Sequence, residues 1–215
     1  MVQRMMESDA VASVKEQETL PVMEAFYTVQ GEGKYTGHAA YFIRLGGCDV
    51  GCVWCDVKES WDADVHPKRT ITDIVEAAAA YPGRLAVITG GEPLMHDLTG
   101  LCIALQEKGF QVNIETSGTH PLSGDLDWIT FSPKKFKKPL PEIYEKAHEL
   151  KVIVYNKSDF AFAEEFASQM NADCRLYLQP EWGKQDKMLP LIIEYVKKRP
   201  EWQVSLQTHK YMDIP

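Results

Sequence analysis

No apolar run in this chain is long enough to cross a bilayer, so a helical membrane anchor is not expected. Positive charge is not in surplus: 23 Lys and Arg stand against 31 Asp and Glu, a formal net charge of −8. A broad nucleic-acid-binding face is therefore not expected. Cysteine is scarce. There are five, an odd number, and three of them cluster, which argues against a disulfide scaffold and for a reducing, cytoplasmic setting. No internal repeat or linker divides the chain, and 215 residues suffice for one domain with a sizeable core. The first residues, Met1 to Leu20, are polar and lack an apolar signal core. They read as a flexible N-terminal extension to a domain over 21–215. The one basic run, Lys134-Lys135-Phe136-Lys137-Lys138, is short and reads as a solvated loop, with Lys134 a separate case.

What is present is the run Cys48-Asp49-Val50-Gly51-Cys52-Val53-Trp54-Cys55, spaced C-x3-C-x2-C. A structural zinc site takes four protein ligands and is closed. A four-iron cluster held by only three cysteines leaves one iron without a protein ligand, free to chelate a small molecule. The competing readings are a zinc knuckle that borrows a distant ligand, such as His66 or Cys102, and buried apolar cysteines. Cys102, in the apolar stripe of an expected helix, and Cys174, at the opening of an expected strand, read as buried structural residues.

The rest of the chain alternates strand and helix. Apolar runs at Tyr41–Leu45, Leu85–Ile88, Val112–Ile114, Trp128–Phe131, Val152–Tyr155, Leu176–Leu178 and Val204–Leu206 read as strands. Ile71, Ile74, Val75 and Ala78 share a helical face, with a capping box from Thr70 and Asp73. Leu98, Leu101, Cys102 and Leu105 share another, closed by Gly109. Phe162–Met170 and Met188–Lys198 are expected helices, with Pro190 near the start of the second. Such alternation implies βαβ units around a parallel sheet. Seven strands are too few for a closed eightfold barrel, so an α/β partial, open β/α barrel of about six units is expected.

The unusual residues follow the ends of these strands. Thr89 leads into Gly90-Gly91-Glu92-Pro93, whose glycines let backbone approach a ligand and whose Glu92 can accept from a cation. A tight turn is the plain alternative. Glu115-Thr116-Ser117-Gly118, Ser132-Pro133-Lys134 and Leu178-Gln179-Pro180 follow strands too, and caps or turns would explain them equally. Trp54 is either core or a neighbour of a bound group. Arg44 suits bidentate pairing with a carboxylate, or a structural salt bridge. His209, near the end of the last strand, is either a donor to a ligand or a surface histidine.

Taken in order, these motifs are similar to those of the radical S-adenosylmethionine (SAM) superfamily. With Val29-Gln30-Gly31-Glu32-Gly33, Tyr41–Arg44, Leu45-Gly46-Gly47-Cys48, Asp56, Trp61-Asp62 and Leu206-Gln207-Thr208-His209-Lys210, the stretch from Pro21 to Pro215 resembles the 7-carboxy-7-deazaguanine synthase family within it. That resemblance implies a 4Fe-4S cluster on Cys48, Cys52 and Cys55. It implies SAM bound by Trp54, Asp56, Gly91, Glu92, Ser117, Ser132, Pro133, Lys134 and Gln179. It implies a pterin substrate met by Val29, Gln30, Gly31, Glu32, Arg44, Thr89, His209 and the C-terminal carboxylate of Pro215. The implied reaction contracts 6-carboxy-5,6,7,8-tetrahydropterin to 7-carboxy-7-deazaguanine with loss of ammonia, on the queuosine and 7-deazapurine pathway. A flavodoxin or ferredoxin reductant and a homodimer are expected with it. One position departs: many relatives carry a Thr or Ser ligand to Mg2+ where this chain has Val57, and valine cannot ligate a metal. Mg2+ is thus expected with weakened dependence, Lys58-Glu59-Ser60 being the nearby candidates to substitute. Another small radical SAM enzyme, such as a glycyl-radical activase, would share the cluster. An iron–sulfur electron carrier or a zinc-binding adaptor would have no use for the strand-end motifs.

Overall fold

All seven expected strands pair in one sheet, in parallel. In the computed structural model, which describes residues 18–55 and 57–215, they are β2 (Ala39–Leu45), β4 (Leu85–Gly90), β5 (Gln111–Thr116), β6 (Trp128–Phe131), β7 (Glu149–Val154), β8 (Arg175–Pro180) and β9 (Trp202–Val204). Two further strands, β1 (Thr19–Val29) and β3 (Lys68–Thr70), pair antiparallel at one edge, giving the order β3-β1-β2-β4-β5-β6-β7-β8-β9. The sheet has two ends and does not close, as expected of a partial barrel. Strand β1 begins inside the segment expected to be an extension: Thr19 and Leu20 belong to the sheet, and Leu20 is buried. The rest of that segment, residues 1–17, lies outside the described residues.

The outer face of the sheet is covered by α1 (Ile71–Ala79), α2 (Thr99–Glu107), α3 (Glu142–Lys146), α4 (Asp159–Ala167) and α5 (Gln185–Lys198), with α6 (Thr208–Met212) following β9. Six strands are thus followed by a helix; β5 passes to β6 without one. In α1 the expected face is the buried one, and the Asp73 N–H donates to Thr70 Oγ1 at 3.1 Å, the N-cap half of the box. Helix α5 starts earlier than its apolar stripe, so Pro190 falls within it rather than in its first turn. The carbonyl that loses its helical partner there belongs to exposed Asp186, where water can serve it.

Strand period divides the molecule chemically. On β7, Leu150, Val152 and Val154 join the core beneath the helices, while Glu149, Lys151 and Ile153 alternate to the inner face. On β5, Val112 and Ile114 face the core; Gln111, Asn113 and Glu115 face inward. A small inner cluster of Ala40, Leu85 and Val87, flanked by Tyr35 and Phe42, packs at the starts of the parallel strands. Above it the inner face is polar.

Gly90 pairs with Leu45 at φ +133°, and a Cβ there would collide with the Leu45 backbone. Gly37 also has a positive φ, +88°, but nothing crowds it. Gly37→Ala should cost about 1 kcal/mol, the conformational term alone. Gly90→Ala should cost about 3 kcal/mol or more, since the β2 and β4 ends must part. Chemical denaturation of the two variants checks this; equal losses would count against it.

Candidate active site

The parallel register places all seven strand ends on one rim, and the cysteine loop hangs from the first of them. After β2, Gly47 turns the chain at φ +103°, and its N–H donates to the Ser60 carbonyl at 2.6 Å; the Cys48 N–H donates to the Trp61 carbonyl at 3.0 Å. Cys48, Cys52 and Cys55 all line one cavity. Gly91, at the end of β4, backs the first of them: a Cβ there would sit 2.8 Å from Cys48 Cβ and collide with the Gly47 carbonyl. Its N–H donates to the Leu45 carbonyl at 3.0 Å, and that of Glu92 to the Gly47 carbonyl at 2.8 Å. The glycine pair therefore lets the cysteine loop seat directly on backbone.

Glu92 is buried, and its carboxylate ties β4 to β5. It accepts from Thr116 Oγ1 at 2.6 Å, from the Ser117 N–H at 2.8 Å, from Ser117 Oγ, and from the Leu94 N–H at 3.2 Å. At the end of β6, Lys134 Nζ donates to the Ser132 carbonyl at 2.8 Å and to Ser132 Oγ at 2.6 Å, and lies 5.7 Å from the Trp54 ring centroid. Burial holds its pKa below the ordinary lysine value. The same residue draws the Cys52 thiol downward, yet burial dominates there and pushes it up to about 11; Cys48 is also raised, chiefly by burial.

The floor of the cavity comes from the segment after β1. Gln30, Gly31 and Glu32 line it, and Gly31 is held against the start of α6, where the Thr208 N–H and Oγ1 donate to its carbonyl at 3.0 and 2.9 Å. Lys151, 3% exposed, donates to Glu32 and, at 2.9 Å, to Glu115 Oε2. Burial would raise the Glu32 pKa, but Lys151 outweighs it and holds that carboxyl down at about 2. Gln207 Nε2 donates to Glu32 Oε1 at 3.0 Å, and Gln30 Nε2 to Glu115 Oε1 at 3.1 Å. Breaking a buried pair of this kind costs on the order of 3–5 kcal/mol, so the triad is a fixed part of the wall. Arg44 is different. Its Nε donates to Glu24 at 2.6 Å, but Glu24 is 46% exposed. Such a surface pair is worth about 1 kcal/mol or less, and a ligand carboxylate can compete with it.

The structure brings together almost every residue that the sequence singled out. Val29, Gln30, Gly31, Glu32, Arg44, the three cysteines, Trp54, Val57, Thr89, Gly91, Glu92, Ser117, Ser132, Lys134, Gln179, His209 and Pro215 all line the cavity. Pro133 does not; it is buried between two residues that do. Asp56 lies outside the described residues. Gln179, expected beside SAM, is buried and accepts from Ser205 Oγ at 2.7 Å, within the floor network near Glu32. Burial holds the His209 pKa below its ordinary value, so near neutral pH its ring keeps one N–H to donate. Ser60 is the buried hydroxyl of the Lys58–Ser60 group and lines the cavity, while Lys58 and Glu59 are exposed. Sequence reasoning missed Lys151. The signal was available: Glu149 and Lys151, two residues apart in an otherwise apolar strand, point to a polar inner face.

The donor set fits an iron–sulfur cluster. His66, one candidate fourth zinc ligand, has its Nε2 at 2.8 Å from the Glu59 carbonyl, and Cys102, the other, is on the buried face of α2, within the core. Among the described residues no three His, Cys, Asp or Glu gather as a single metal ion requires. Three thiols face one cavity, a form suited to a cluster that leaves one iron open. Trp61 also lines that cavity, and its buried Nε1–H has no partner, as expected of a wall that receives a ligand acceptor.

Comparison with known proteins gives the same reading. The Radical SAM superfamily matches residues 42–157. The chain is 56% identical, over 98% of its length and 100% of the relative's, to the 7-carboxy-7-deazaguanine synthase of Flavobacterium psychrophilum. It is 48% identical to that of a Synechocystis strain, over 90% of this chain and 93% of the relative's. The crystal structure of QueE from Escherichia coli superposes with a TM-score of 0.83 at 33% identity, covering 91% of this chain and 97% of that one. The chain belongs to the 7-carboxy-7-deazaguanine synthase family of the radical SAM superfamily.

Proposed function

We propose that this protein converts 6-carboxy-5,6,7,8-tetrahydropterin to 7-carboxy-7-deazaguanine and ammonia, a redox-neutral ring contraction in queuosine and 7-deazapurine biosynthesis. The observation that carries this reading is a single cavity lined both by the three cysteines and by Gln30, Glu32, Arg44, Thr89 and His209. A glycyl-radical activase must admit a protein backbone and has no use for that floor.

In this reading Cys48, Cys52 and Cys55 hold the cluster, while Trp54, Asp56, Gly91, Glu92, Ser117, Ser132, Pro133, Lys134 and Gln179 surround SAM. A cluster and SAM held by these residues would supply a 5′-deoxyadenosyl radical for hydrogen abstraction at C6 of the pterin. The protein's part is to bind and orient. Arg44 pairs with the substrate carboxylate. Gln30, Glu32 and Thr89, with the backbone at Val29 and Gly31, meet the heterocycle edge. His209 donates from α6. Pro215 closes the wall, one oxygen of its terminal carboxylate accepting from Thr28 Oγ1 at 3.3 Å. A flavodoxin or ferredoxin brings the electron to a cytoplasmic homodimer, whose domain begins with the strand at Thr19 and not at Pro21, after an N-terminal extension.

Protein reconstituted anaerobically with iron and sulfide should form the deazapurine from SAM, dithionite and 6-carboxy-5,6,7,8-tetrahydropterin, read by mass spectrometry. Failure to form it would overturn the reading. Cys48→Ala, Cys52→Ala and Cys55→Ala should each lose the four-iron absorbance, and Cys102→Ala should keep it.

Val57 offers no side-chain oxygen to Mg2+, and the hydroxyl of Ser60, three residues on, donates to the Val57 carbonyl at 2.6 Å. Turnover should therefore fall only modestly when Mg2+ is chelated, and Val57→Thr should steepen the response. A wild-type rate that vanishes on chelation would refute this.

Residues appended after Pro215 should lower kcat/KM by roughly ten- to a hundredfold, the worth of one charge-assisted hydrogen bond. Cluster content should be unchanged, and an equal tag before Met1 should be harmless. Matching kinetics for the two tagged proteins would remove Pro215 from the site.

A further inference from the structure

The cavity floor contains a charged group that the reaction as set out above does not use. Lys151 projects from the inner face of β7, and its two partners come from elsewhere: Glu32 from the segment after β1, Glu115 from the end of β5. Each carboxylate is held a second time by an amide, Glu32 by Gln207 and Glu115 by Gln30. The circuit closes on itself, because the Glu32 N–H donates to Gln30 Oε1 at 3.0 Å. One ammonium thus locks β5, β7, the segment after β1 and the approach to α6 into a single acceptor-rich surface.

Two carboxylates against one ammonium leave that surface with an excess of negative charge. It suits a neutral edge rich in N–H donors and repels an anion. A pterin has both kinds of end: an amino and amide edge, and a carboxylate. Arg44, on the same cavity wall, suits the second. We propose that Lys151 is a positioning residue that aims Glu32 and Glu115 at the amino and amide edge of the substrate and so fixes which way round the heterocycle lies. This rests on the function proposed above.

The groups that face the triad are few. Glu149 lies on the same strand, where burial raises its pKa and the Lys34 N–H donates to it at 3.0 Å. Lys134 approaches from the end of β6 and His209 from α6. None of them bonds to Glu32 in place of Lys151. With Lys151 present, the Glu32 carboxyl stays ionised down to about pH 2. Without it burial prevails and the carboxyl titrates higher, so an acid limb enters the working range.

The test has two arms. The first compares Lys151→Met and Lys151→Arg with the wild type. Lys151→Met should raise the pterin KM by roughly tenfold or more and move the acid limb of kcat/KM to higher pH, while cluster content and substrate-free SAM cleavage stay at wild-type levels. Lys151→Arg, which keeps the charge, should restore the acid limb. An unchanged KM and pH profile in Lys151→Met would overturn the proposal, as would loss of cluster and SAM cleavage in step with turnover. The second arm needs no variant to fold. The wild-type enzyme loaded with SAM should bind 6-carboxypterin at least roughly tenfold more tightly than 6-carboxylumazine, which carries oxygen in place of the 2-amino group. Equal affinity would overturn the proposal. A wild type that prefers 6-carboxypterin but does not contract 6-carboxy-5,6,7,8-tetrahydropterin would sink the assigned reaction and leave the role of Lys151 standing.

Discussion

Gly90 runs so close beside Leu45 that no side chain fits between them, and the geometry of the site follows from that approach. It lets the Gly91 and Glu92 N–H groups reach the Leu45 and Gly47 carbonyls, which pins the start of the cysteine loop to the end of β4. Glu92 then passes the connection to β5 through Thr116 and Ser117. The cysteines are therefore not carried on a free loop. Three of the loop's backbone anchors, at residues 45, 47 and 48, are set by ordinary sheet and turn hydrogen bonds before any ligand arrives. A preformed frame of this kind spares binding much of the cost of ordering it.

The inner face works by a different rule. Outward, the strands bury Leu, Ile and Val under helices, and hydrophobic burial holds them. Inward, burial places charges in contact: Lys151, Glu32 and Glu115 near the middle, Glu149 toward the strand starts. A buried charge survives only when paired and hydrogen-bonded, and Lys151, Glu32 and Glu115 each have at least two partners. Such an interior is a poor source of net stability. Its worth lies in recognition, since rigid acceptors in a dry pocket discriminate between ligand edges far better than an apolar wall.

The sequence showed the seven parallel strands because each is a short apolar run stopped by Gly, Pro or a cluster of polar residues. It hid β1 and β3 for identifiable reasons. Strand β1 contains Pro21 and a register shift between Val22 and Glu24, which break the two-residue period. Strand β3 is three residues long and reads Lys-Arg-Thr, with no apolar signal. Helix α5 begins before its apolar stripe because its first turn, Gln185-Asp186-Lys187, is polar, whereas α4 begins at Asp159 and ends at Ala167, each bound three residues before the one its apolar pattern suggests. Boundaries of this kind depend on backbone hydrogen bonds, not on periodicity.

By itself the sequence determined the class of fold, the cysteine triad and the strand-end motifs, because spacing and period are local properties of a chain. Strand ends in a parallel sheet must share a rim, so motifs as far apart as Cys48 and Gln179 were bound to converge. Only the tertiary structure decided what those motifs touch. Glu92 is engaged by Thr116 and Ser117, Gln179 belongs to the floor, and Lys151 joins two carboxylates from elements 119 and 36 residues away. Which charge pairs with which is fixed by crossing distances between elements, and no local pattern of residues carries that information.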